Sequence, residues 1–151
     1  MEISFEYAEE EATGLPEAFF RDIARQAIEA AALPSLAGKA VSLSAVAVSE
    51  ERIRELNRSY RSKDSVTDVL SFGEYQDTEA LAEELSHDVF IGELFFSPAF
   101  IRSAAVEDGV SLEQEMAYVF SHGVLHLLGF DHCDEMFALQ DGIADRFASA
   151  A

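Results

Sequence analysis

Apolar and polar residues alternate along Ile3-Ser4-Phe5-Glu6-Tyr7, the two-residue period of a half-buried strand. Beyond Gly14 and Pro16 the period lengthens. Phe19, Phe20, Ile23, Ala24, Ala27, Ile28 and Ala31 keep helical spacing, which predicts a helix ending before Pro34. Val41 opens a second strand that runs apolar through Val48, and Ser49 is placed to cap a helix from Glu50 to about Asn57, with Ile53 and Leu56 inward. Arg58 to Ser65 reads as a polar loop leading into a short strand over Thr67 to Phe72. Residues 74 to 88 are acidic and read as a solvated loop or a short surface helix. Val89 to Phe96 is almost continuously apolar, as in a well-covered strand. Pro98 starts a helix through Ala105 that ends near Gly109, and Ser111 with Gln114 makes a capping box for a helix reaching Leu128 and stopping at Gly129. A last amphipathic helix follows Asp134, with Met136, Leu139, Ile143 and Phe147 on one face. About four strands interleaved unevenly with helices predict an α+β fold, a small mixed sheet covered by helices.

The length of 151 residues predicts one domain, residues 1–151, and 49% hydrophobic residues with 12 Phe exclude a disordered chain. One cysteine, Cys133, excludes an internal disulfide framework and suits a reducing compartment. The start Met1-Glu2-Ile3-Ser4 has neither the basic nor the apolar region of a secretory signal, and no stretch approaches a membrane span. A cytoplasmic protein with no membrane partner is the expectation. The net charge of −19 predicts a surface that repels nucleic acid at long range.

Two features change that picture. The first is His122-Gly123-Val124-Leu125-His126, followed by Gly129 and His132. His122 and His126, four apart on a helix, project from one face; Gly129 can take positive φ, end the helix and return His132 to the same point. Three neutral imidazoles leave a fourth tetrahedral position open, as catalytic zinc sites do. The spacing matches a metzincin protease, but Gly123 stands where such a protease needs its general-base Glu. Such a site also accepts nickel, cobalt or copper.

The second is where the scarce positive charge lies. Arg52, Arg54, Arg58, Arg61 and Lys63 face only Glu55 in twelve positions, a local charge of +4 that leaves −23 elsewhere. Helix pairing with Glu51 and Glu55 accounts for Arg54 and Arg58. Arg61 and Lys63, expected in the loop after Tyr60, are left over, and a guanidinium beside a metal site suits phosphodiester cleavage.

With these residues in view, His122-Gly-x-Leu125-His126-Leu127-x-Gly129-Phe130-Asp131-His132 resembles the signature of the YbeY endoribonucleases. Leu56-Asn57-x-x-Tyr60-Arg61-x-Lys63-Asp64-x-x-Thr67-Asp68-Val69-Leu70-Ser71-Phe72 and Ile91-Gly92-Glu93 resemble two further blocks of that family, so the likeness runs from about residue 43 to 140. The resemblance implies a zinc-dependent, single-strand-specific endoribonuclease of ribosomal RNA maturation, acting at the small-subunit RNA 3′ end and in ribosome quality control. It implies His122, His126 and His132 as zinc ligands, Arg61 as the essential basic residue, and the small ribosomal subunit and a ribosome-associated GTPase as partners. This chain departs from the family with Val66 for Pro, Phe130 for Tyr, Glu93 for Asp and a shorter segment between His132 and Met136.

Other residues keep two readings. Asp131 either fixes the tautomer of a ligand imidazole or caps the last helix, and Glu93 either meets a cleft or lies on an exposed strand face. Lys63 is a candidate substrate contact. Glu115, seven before His122, is two helical turns away and too far to ligate, Cys133 is incidental, His87 is exposed, and Tyr60 is available for stacking on a base. Two other functions share the three histidines: another zinc hydrolase such as a peptidase, or a non-catalytic ribosome-assembly factor with a structural metal.

Overall fold

The computed structural model describes residues 1–148. Strands β1 (Glu2–Glu9), β2 (Ala40–Ala47), β3 (Val69–Gly73) and β4 (Asp88–Phe96) form one sheet in the order β1-β2-β4-β3. β1, β2 and β4 run parallel and β3 is antiparallel to β4, so the sheet is mixed and β3 is an edge. Six helices accompany it: α1 (Glu17–Ala31), α2 (Glu50–Arg61), α3 (Thr78–Ala82), α4 (Pro98–Asp108), α5 (Leu112–Leu127) and α6 (Asp134–Asp145). The expected α+β architecture is therefore present. No described helix is long and apolar enough to cross a membrane.

The larger core lies on one face of the sheet, where Phe20, Ile23 and Ile28 of α1 and Met116, Phe120 and Val124 of α5 meet Leu43, Ile91, Leu94 and Phe96. A smaller core lies where α2 covers the other face, through Ile53, Leu56, Leu70, Phe72 and Phe95. β4 serves both cores by its alternation, and it is bulged: Phe90 pairs with Ser42 and Gly92 with Leu43, leaving Ile91 as the extra residue. The alternation changes phase there, so Val89 and Ile91 but then Leu94 and Phe96 face the larger core. The phase change and the cover of Phe95 by the smaller core together make the strand read as a nearly continuous apolar run. The bulge needs a glycine, since Gly92 has φ of 139° and a Cβ on it would lie 2.3 Å from the Phe72 carbonyl oxygen.

Three boundaries differ from expectation. α2 continues through Arg58 to Arg61, residues expected in a loop, and ends where Ser62 takes φ of 59° and its N–H returns to the Asn57 carbonyl. Polarity there marks the solvent face of a helix rather than its end. β3 starts at Val69 because the Asp68 carboxylate accepts the Val69 N–H at 2.7 Å. The acidic stretch contains α3, capped by Asp77 on the Ala80 N–H, and sends Leu81, fully buried, into the larger core. It is thus a docked helix as well as a surface one.

Candidate metal centre

α5 presents His122 and His126 from adjacent turns, and the chain beyond it reverses at Gly129, with φ of 101°. A Cβ on Gly129 would stand 2.3 Å from the Asp77 carbonyl carbon, so the turn passes directly over the start of α3. His132, itself at φ of 23°, is returned to the two helical histidines as the spacing predicted. His126 Nε2 lies 3.0 Å from His122 Nε2 and 3.2 Å from His132 Nε2. The three potential ligand atoms fall within 4.8 Å of one another. A tetrahedral ion with arms of ~2.0–2.1 Å needs ligand separations of roughly 3.3 Å, close to the two separations made by His126.

The hydrogen bonds on the far side of the rings decide whether the set suits a cation. His126 Nδ1 lies 2.9 Å from the Phe130 carbonyl, which can only accept, so Nδ1 carries the proton and Nε2 is a bare lone pair. His122 Nδ1 faces the side-chain oxygen of Gln140 at 3.1 Å, with the same consequence. Two bare nitrogens 3.0 Å apart cannot hydrogen-bond to each other; a cation between them resolves the repulsion. Burial, then the neighbouring imidazoles, holds the His126 pKa below its ordinary value, which keeps the ring available as a ligand. The residues therefore fit a transition-metal ion such as zinc.

The cluster sits in a cleft of about 750 Å³ between α5, the β3 edge and the start of α6. Arg61 and Lys63 also line it, and neither makes an ion pair among the described residues. Arg61, the last residue of α2 rather than part of a loop, donates through Nη2 to the Ser71 carbonyl at 2.7 Å and rests 4.8 Å above the Phe72 ring. The other basic residues divide differently from the expected helix pairs. Arg54 closes on Asp64 at 2.7 Å, which holds that carboxyl below its usual range, and Arg52 approaches Glu55 at 3.9 Å. Tyr60 is exposed and packs edge-on against Phe72 outside the cleft.

The remaining candidates lie elsewhere. Glu93 is not in the cleft: it faces the α2 side of the sheet, where its carboxylate accepts from Ser44 Oγ at 3.1 Å. The bulge at Gly92 sets that direction. Asp131 meets neither of its readings, since its carboxylate is exposed and 3.8 Å from His132 Nδ1, and Cys133, not Asp131, occupies the N-cap of α6. Glu115 lies outside the cleft, near Asp108. Gly123 faces the sheet, where a Cβ would lie 2.9 Å from Leu94 Cδ2, so this position cannot carry a base toward the cleft. Asp68 is the one carboxylate lining the cleft among the described residues.

Gln140 and Ser71 escaped the sequence reading. Ser71 Oγ donates to the Gly123 carbonyl at 3.3 Å, joining the β3 edge to the histidine helix. Gln140 had a signal: it falls between Met136 and Ile143 on the buried stripe of α6, a polar residue at a core position.

The family model described as endoribonuclease YbeY matches residues 4–148 of this chain. Curated proteins named endoribonuclease YbeY from Geobacillus thermodenitrificans and Bacillus cereus are 41% and 35% identical over 127 and 135 residues, covering 79% and 85% of this chain and 80% and 86% of theirs. One of the same name from Ureaplasma urealyticum is 41% identical over 101 residues, 64% of this chain and 61% of its own length. The chain thus spans about three-fifths of the length of that relative. A solution structure of a Thermotoga maritima protein superposes with a TM-score of 0.62 at 25% identity, over 95% of this chain and 89% of that one.

Proposed function

The chain belongs to the YbeY endoribonuclease family, and from that membership we propose that residues 1–151 act as one domain, a metal-dependent endoribonuclease that cuts single-stranded RNA. One observation carries this reading: three imidazoles, those of His122 and His126 with bare Nε2 atoms, converge in a cleft that is also lined by two cations without ion pairs, on a protein of net charge −19. A metal held by His122, His126 and His132 would supply Lewis-acid chemistry for phosphodiester hydrolysis, and zinc is the ion proposed, as in other catalytic sites of three imidazoles.

The chain's own residues do the recognition. Arg61 is held by the Ser71 carbonyl, by a longer bond to the Tyr60 carbonyl and by the Phe72 face, and its remaining N–H donors serve phosphate oxygens and the charge developing on them. Lys63 adds a point charge on a flexible stem in the same cleft. The acidic remainder of the surface disfavours long duplexes and confines RNA to this patch. A peptidase has no support here, because position 123 packs into the sheet.

The resemblance of the three sequence blocks supports a finer assignment: maturation of the small-subunit ribosomal RNA 3′ end and ribosome quality control in the cytoplasm, with the small ribosomal subunit and a ribosome-associated GTPase as partners. The test is cleavage of an end-labelled single-stranded RNA by purified protein, with chelator and zinc add-back, beside His126→Ala and Arg61→Ala. Chelator-reversible cleavage lost in both variants is expected. RNA left intact by zinc-loaded wild type would end the nuclease reading.

A further inference from the structure

Each of the three histidines is held differently. His126 leans on a backbone carbonyl just past the Gly129 turn, that of Phe130, which no side-chain substitution removes. His132 is exposed and its Nδ1 has no hydrogen-bond partner within the described residues. His122 alone depends on a side chain from another element: Gln140, two turns into α6, is 1% exposed and places Oε1 3.1 Å from His122 Nδ1.

The amide of Gln140 has only one workable orientation. Its other end lies 3.1 Å from the Tyr118 carbonyl on α5, which can only accept, so that end must be the NH₂. Turning the amide over would set its oxygen against the Tyr118 oxygen and two donors against the imidazole. With the orientation fixed, Oε1 faces His122, Nδ1 must donate to it, and Nε2 is left without a proton on the side facing His126 and His132. The Tyr118 carbonyl thus determines, through one buried amide, which nitrogen of His122 can bind a metal.

We propose that Gln140 is the positioning residue of the metal centre: it locks the Nδ1–H tautomer of His122 and makes metal binding depend on the docking of α6. The inference rests on the metal reading of the histidine cluster but not on RNA as substrate. α6 begins two residues after His132, so one short segment controls two of the three ligands, one by its starting point and one by Gln140. Outer hydrogen bonds of this kind typically contribute ~10–100-fold to metal affinity.

The experiment is competitive titration of zinc alone into metal-free wild type, Gln140→Leu and Gln140→Glu, paired with long-range proton–nitrogen NMR of the His122 ring. Gln140→Leu removes both hydrogen bonds at similar volume, whereas Gln140→Glu keeps the acceptor on Nδ1 and loses the donor to Tyr118. The expected result is a zinc affinity at least about 10-fold weaker in Gln140→Leu, with a mixed His122 tautomer, and recovery toward wild type in Gln140→Glu. Wild-type zinc affinity in a folded Gln140→Leu overturns the proposal. Should that variant not fold, the metal-free wild type decides alone: a proton on His122 Nε2 overturns the lock, and one on Nδ1 supports it. A wild type that takes up no zinc removes the metal reading itself, an outcome separate from both.

Discussion

Gly123 meets Leu94 with no space for a side chain between helix and sheet: a Cβ on Gly123 would lie 2.9 Å from Leu94 Cδ2 and 3.1 Å from Val69 Cγ2. The position next to the first histidine is therefore a packing position, although in a protease of the same histidine spacing it would carry the catalytic glutamate. Gly123→Ala is expected to cost about 1–3 kcal/mol by overpacking fully buried Leu94. Gly123→Glu would force a carboxylate into the larger core and is expected to cost more than about 4 kcal/mol or prevent folding. Urea denaturation checks both, and a stably folded Gly123→Glu protein would show that the helix can rotate away from the sheet.

Arg61 contributes position more than stability. Its contacts are a hydrogen bond to the Ser71 carbonyl, a longer one to the Tyr60 carbonyl and the Phe72 face, all at the surface, so Arg61→Ala should lower stability by no more than about 1 kcal/mol. RNA cleavage should fall about 100-fold or more, because an anchored charge aimed at the phosphate is lost. Arg61→Lys should recover little, since an ammonium can neither stack on Phe72 nor present a fork. Denaturation and cleavage measured on the same three proteins separate the two effects.

Much of this site could be read before any coordinates, and the reasons for success and failure are local. Histidines four apart on a helix and a glycine seven after the first are short-range geometry, so His122, His126 and His132 met as the spacing required. Gln140 was missed as a partner because its contact with His122 depends on how α6 packs across α5, which no spacing within one helix encodes. Arg61 was expected in a loop because polar residues at the end of α2 look the same whether they face solvent from a helix or from a turn. Whether Glu93 met the cleft or an exposed strand face stayed open in the sequence because a one-residue bulge reverses which residues face which side, and only the pairing partner reveals it.

The pairing of Arg54 with Asp64 removes one basic residue from the cleft and gives a pH signature. The hydrogen bond from Arg54 holds the Asp64 carboxyl below its ordinary range. A depressed carboxyl pKa means stability present above the unfolded value and lost as pH falls through the folded one. Arg54→Ala should return the Asp64 titration toward ordinary values in a carbon-detected NMR titration while leaving RNA cleavage nearly unchanged. A large loss of cleavage would show that Arg54 reaches substrate despite this pair.

In the metal-free protein, His126 resists protonation because it is half-buried beside two other imidazoles. Its folded pKa lies below the ordinary 6.5, so the unfolded chain binds more protons as pH drops past that value. Stability of the metal-free protein should therefore be full above about pH 6.5 and decline as pH falls toward the lower folded value. His126→Asn should flatten that decline, which urea midpoints at pH 8 and pH 5.5 would show. Zinc should raise the midpoint at pH 8 and lose its effect in acid, since protons compete for the same nitrogens.

Gly129 joins the two halves of the metal centre, and its substitution should separate folding from ligation. At φ of 101° an alanine is strained, and its Cβ would fall 2.3 Å from the Asp77 carbonyl carbon and 2.4 Å from the Thr78 nitrogen, both backbone atoms that cannot rotate aside. The turn or α3 must shift, at a cost of about 2–4 kcal/mol. His122 and His126 stay on α5, but His132 follows the displaced turn, so the third ligand is lost before the first two. Gly129→Ala should then bind zinc far more weakly than the wild type while keeping its helical circular-dichroism spectrum. Titration of zinc against a chromophoric chelator reads this directly, and undiminished affinity would mean that His132 reaches the cluster by a route other than the Gly129 turn.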